Sequence, residues 1–158
     1  MTLNQIKARI QTIALAHEQI NSFGFGLFGD FLDTEINYPA CFMDLPTESL
    51  SGQLGAGAER RLTVNLYFFD RMIVGGGTQD NSFNRDEVLS DMRSVATDIF
   101  SQFRYQKFNP RWNVLPDANM EYFVERNEDY CAGVRLTVTI SFPFVVDRCN
   151  LPSTLQLS

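Results

Sequence analysis

Side chains that do chemistry are scarce in this chain. There is one histidine, His17, and there are three cysteines, Cys41, Cys131 and Cys149, in neither CxxC nor CxxxC spacing. A nucleophilic triad needs a base beside a serine or a cysteine. The lone histidine falls on an apolar helical stripe, where a core or boundary role is expected. Glu18 and Cys41 give it no ligand set for a metal. An odd cysteine count speaks against a disulfide framework, so all three thiols are expected to be reduced. Positive charge is also short: 13 Lys and Arg stand against 19 Asp and Glu, a net charge of −6. Such a chain repels polyphosphate unless its basic residues cluster, and Glu59-Arg60-Arg61 is their one dense spot. No apolar run approaches the length of a membrane span. Lys7, Arg9, His17 and Glu18 interrupt any apolar leader, which predicts a chain that starts out in a cytoplasm.

Several short patterns imitate functional motifs and fail on context. GFGLFG follows a helical pattern rather than a strand, so it lacks the setting of a dinucleotide-binding turn, and no Lys-Ser/Thr follows GGGT. Both read as flexible connectors. Asp30, Asp33 and Glu35 lack the alternating oxygen ligands and distal glutamate of a calcium loop. Glu121 and Glu125 share a strand face with Phe123 between them, which reads as a solvated or interfacial edge rather than an acid–base pair. No enzymatic activity and no cofactor are expected.

Core material is plentiful. Of 158 residues 44% are apolar, and 14 are phenylalanine. That suits one domain over residues 1–158. Leu3, Ile6, Ile10, Ile13, Ala14, His17 and Ile20 recur in steps of three and four, predicting a helix over Leu3–Asn21, with Thr2 and Gln5 at capping-box spacing. SFGFGLFGDFLD breaks that helix. A loop carrying Phe23, Phe25, Phe28 and Phe31 must fold under a sheet or dock on a neighbour. Tyr38–Asp44 is a short strand, and SGQLGAGAE a loop. Arg61–Asp70 alternates as a half-buried strand. After a mobile Gly75–Ser82 loop, a second helix starts at Asn84 and ends near Lys107, its stripe running from Val88 to Phe103. Trp112–Leu115, Met120–Glu125 and Ala132–Phe144 complete the strands. The order α-β-β-α-β-β-β predicts an α+β fold, an antiparallel-dominated sheet with two main helices on one face. Thr63, Asn65, Thr137, Thr139 and Ser141 make strand faces too polar for a core, so these either meet water or line a subunit contact.

Four strings carry a resemblance: AHEQINSFGFG, YPACFMDLP, NEDYCAGVRLTVTI and VVDRCNLP. With the element order, they resemble small head–tail connector proteins of tailed bacteriophages. The nearest likeness is to tail-terminator-like ring proteins from phages of Bacteroidetes hosts, crAss-like phages included. The resemblance implies a structural protein of the virion, without an active site, assembled in the host bacterial cytoplasm. It implies a homo-oligomeric ring of six or twelve copies, twelve preferred, next to portal, ring or tail proteins and clear of any membrane. DNA would pass through without specific binding. The expected subunit or ring contacts are Phe23, Phe25, Phe28, Phe31, Thr63, Asn65, Thr137, Thr139 and Leu155, with the tail 150–158 docked on a neighbour. The competing expectation is a soluble protein-binding module acting as a monomer or dimer.

Overall fold

The computed structural model describes residues 1–52, 57–73, 84–105, 112–125 and 130–144. The observed order is α1 (Leu3–Leu15), β1 (Ser22–Gly26), α2 (Phe28–Leu32), β2 (Ala40–Asp44), β3 (Thr47–Ser51), β4 (Ala58–Arg71), α3 (Arg85–Arg104), β5 (Asn113–Glu125) and β6 (Cys131–Phe144). The fold is α+β. Its six-stranded sheet runs β1-β2-β4-β6-β5, and β3 pairs with the half of β4 that β2 leaves open. Among the described residues the β1–β2 pairing is parallel and the other four are antiparallel.

The β4–β6 pair is the axis of the molecule, in unbroken register from Ala58↔Phe144 to Arg71↔Cys131. A period of two sends Leu62, Val64, Leu66 and Phe68 with Val134, Leu136, Val138 and Ile140 to one face. There α1 and α3 cover them and form the main core. The α3 stripe emerges as the sequence predicts, with Val88, Met92, Val95, Ala96, Ile99 and Phe103 buried. The capping box of α1 also forms: Thr2 N donates to Gln5 Oε1 at 2.9 Å, and Gln5 N to Thr2 Oγ1 at 3.3 Å. Asn84 is the N-cap of α3, but its side chain accepts from Ile73 N at 2.7 Å rather than capping its own helix.

Other expectations need correction. α1 stops at Leu15, because the chain must turn back for β1; Ile20 is still buried, beyond that turn. SFGFG is a strand, not a loop, and FGDFL is a short helix rather than part of a connector. Residues 47–50, assigned to no element from sequence, form β3 along β4 together with Ser51, and β4 starts at Ala58, so both ends of the expected SGQLGAGAE loop belong to strands. The two strands expected around Trp112–Leu115 and Met120–Glu125 are one, β5, with a register shift between Val114 and Ala118. Pro116 lies in that interval; lacking an N–H, proline is tolerated on an edge strand, and β5 is one. The second helix ends at Arg104, short of Lys107. The Gly75–Ser82 loop and the tail 150–158 lie outside the described residues.

Candidate functional site

The sheet face away from α1 and α3 is divided in two. At one end Phe42, Tyr67, Phe69 and Phe123 project from β2, β4 and β5, and α2 lies over them. Phe28 stacks on Tyr67 with centroids 4.5 Å apart, and meets Phe69 and Phe123 edge-on at 5.3 and 5.8 Å. Phe31 stacks on Phe42 at 5.0 Å. Two glycines permit this packing. A Cβ at Gly24 would come within 2.5 Å of the Phe31 ring and 2.8 Å of Phe42. Gly133 sits in register between Phe69 and Phe123, so the two rings meet over it at 6.3 Å.

The sequence-derived contact residues therefore separate. Phe23 and Phe25, on β1, are half-buried against the main core, with the Lys7 ammonium 5.0 Å from the Phe25 ring centroid. Phe28 and Phe31 are half-buried in the aromatic cluster on the opposite face. Of the two fates open to these rings, the described contacts are those of folding onto the sheet. Leu155 lies outside the described residues.

At the other end of that face no described helix or loop segment packs. Thr63 faces Thr139, their hydroxyls 3.4 Å apart, and Thr137 donates to Asn65 Oδ1 at 2.7 Å. Thr47 extends the row onto β3. The structure thus brings Thr63, Asn65, Thr137 and Thr139 together as one half-buried, cross-linked polar ladder. Between ladder and aromatic cluster, Arg135 pairs with Glu121. The Tyr67 hydroxyl first, and then the Glu121 carboxylate, raise the Arg135 guanidinium above its ordinary pKa.

The two flanks of the sheet were not legible as surfaces. On one, β3 is exposed along its whole length, with Leu50 on it 60% exposed and Leu45 exposed just ahead of the strand. On the other, β5 is the outermost strand, with Tyr122 56% exposed beside Val124, and Ile73 and Tyr130 exposed at the same end of the sheet. Cys41 and Cys131 are buried on opposite faces, and burial pushes the Cys41 thiol far up. Among the described residues no three His, Cys, Asp or Glu side chains gather into a metal-binding group. No helix there is long and apolar enough to cross a membrane. His17 sits in the turn after α1, its Nε2 3.4 Å from Asp98 on α3. No protein-family model matches the chain, and no curated protein does.

Proposed function

We propose that this protein is a structural, ring-forming subunit of a bacteriophage head–tail connector, repeated six or twelve times around a channel for DNA. The observation that carries the reading is the pair of sheet flanks on which no further described strand pairs. An edge strand presents unpaired N–H and C=O groups and is ordinarily blunted or covered. Here β3 and β5 lie on opposite sides of the sheet, each with exposed apolar side chains beside it. Two different patches on opposite flanks favour a head-to-tail contact, which generates a ring where the rotation closes. The polar ladder and a net charge of −6 suit a surface that leaves a passing duplex hydrated and unattached. The resemblance in AHEQINSFGFG, YPACFMDLP, NEDYCAGVRLTVTI and VVDRCNLP selects the connector among ring-forming proteins.

Native mass spectrometry, with the protein at assembly concentration and with neighbouring virion rings added, tests the reading. Species of six or twelve copies are expected, and Tyr122→Lys with Val124→Lys should reduce them at least tenfold while leaving the unfolding midpoint in place. A monomer or dimer under every condition would replace the ring with a protein-binding module. Micromolar retention of duplex DNA at about 50 mM salt, where non-specific affinity is near its strongest, would contradict the conduit.

A further inference from the structure

Among the described residues the sheet ends on one flank at β5 and on the other at β1 and β3. The two halves of β5 differ as edges. Its pairing with β6 is interrupted between Val114 and Ala118, where Pro116 removes a backbone N–H, and is unbroken from Ala118 to Glu125. Irregularities and prolines keep an edge from adding a strand, so the half that stays able to add one is 118–125. Followed across the sheet, that half is level with β1. One row runs Tyr122, Val134, Phe68, Cys41 and Phe23, and the next on the same face runs Met120, Leu136, Leu66, Met43 and Phe25. β3 is level with the interrupted half: Ser49 faces Arg61, Arg61 faces Ser141, and Ser141 faces Asn113.

We propose that residues 119–123 of β5 pair antiparallel with β1, Ser22–Gly26, of a second copy, so that the sheets of neighbouring copies join edge to edge. This pairing rests on the ring reading above and names the strands that make its contact. Three observations select β1 as the occupant. The first is direction. β1 is parallel to β2, and three antiparallel steps lead from β2 to β5, so β5 is antiparallel to β1. A copy set beside the first without turning over thus brings β1 to β5 in the more stable kind of ladder. The second is level. The two edges meet row to row, with no offset along the strands to accumulate from copy to copy, as a closed ring needs and a climbing filament does not. The third is the side chains. Tyr122, 56% exposed in one chain, lies across from Phe23 in this pairing, and Met120 across from Phe25. On the other face Glu121 lies across from Gly24 and Phe123 from Ser22, so no like charges meet. A second β5 on the same stretch would instead bring Glu121 and Glu125 against their own copies, across the pair or on the diagonal.

The test uses the full chain with a benzophenone amino acid in place of Tyr122, as an equal mixture of isotopically heavy and light protein whose native mass is recorded in the same sample. After irradiation, mixed-mass adducts mapping to residues 22–26 are expected. Ser22→Asp sets a like charge diagonal to Glu121 and Glu125 of the neighbour and should reduce those adducts at least fivefold, whereas Ser22→Lys should keep or raise them. Both changes lose the same bond from Ser22 Oγ to the Asn37 carbonyl, 2.8 Å long, so a difference between them does not come from that loss; thermal unfolding is recorded for each. Species of six or twelve copies whose adducts map to residues 47–51, or to any other surface, would overturn the pairing and leave the ring standing. So would adducts confined to single chains, no adduct at all in such species, or equal yields from Ser22→Asp and Ser22→Lys. Native masses of one or two copies throughout would remove the ring, and the pairing with it.

Discussion

The two ends of the α2-facing surface are built on the same strands with the same period, yet they have opposite fates. At the Phe69–Gly133–Phe123 end, the side chains are aromatic, and a five-residue helix is held over them by Phe28 and Phe31. At the Thr63–Thr139 end, the side chains are short and hydrogen-bonded to one another, and nothing described packs on them. α2 is too short to be stable by propensity, since isolated helices of fewer than about 12 residues are marginal in water. It exists because the rings beneath it repay its ordering. The polar end offers no such return to a covering element. Among the described residues, that face stays half-buried and carries no covering element.

The largest effect should come from the aromatic end. Phe42 and Phe69 are fully buried, so Phe42→Ala or Phe69→Ala should cost about 3–5 kcal/mol in urea unfolding. A loss below about 1 kcal/mol would mean that the cluster adds little to the fold. Phe28→Ser should come next, at about 2 kcal/mol, because the ring is only half-buried but stacks on Tyr67. From the sequence alone, Phe25 and Phe28 are expected in a contact between subunits or rings, so that replacing both by Ser blocks assembly and leaves the monomer's unfolding nearly unchanged. Stability near wild type combined with lost assembly would restore that expectation.

The polar end should respond differently. Thr63→Lys with Thr139→Lys should shift stability by no more than about 1 kcal/mol, since the ladder is only partly buried. Loss of several kcal/mol would show that the face is covered, and the comparison between the two ends would fail. The smallest effect is a matter of pH. Burial first, and the nearby Asp91 charge, raise the Asp70 carboxyl above its ordinary value, against the Arg71 N–H bond that lowers it. The folded state then holds this proton more tightly than the unfolded chain does. Stability from this group therefore falls as pH rises through the folded pKa, and is regained on acidification toward the unfolded value. Asp70→Asn should raise stability slightly at neutral pH and flatten that part of the pH–stability curve; an unchanged slope would remove Asp70 as its source.

Much of this architecture is written locally. The α3 stripe, the alternation of β4 and β6 and the Thr2–Gln5 box depend on neighbours two to four residues away, so composition and spacing determine them. The polar character of Thr63, Asn65, Thr137 and Thr139 is equally local. Their union into one ladder is not: it needs the register that places Thr63 opposite Thr139, 76 residues on. SFGFG carries glycines that weaken a strand in isolation. It becomes β1 because β2 supplies a parallel partner and because Gly24 leaves room for Phe31 over Phe42. Phe28 and Phe31 are five-residue-helix residues whose place is set by Phe42, Tyr67, Phe69 and Phe123, all distant in sequence. Which rings fold inward was decided by those long-range pairings, since a window of sequence holds the period of a strand but not the identity of its neighbour.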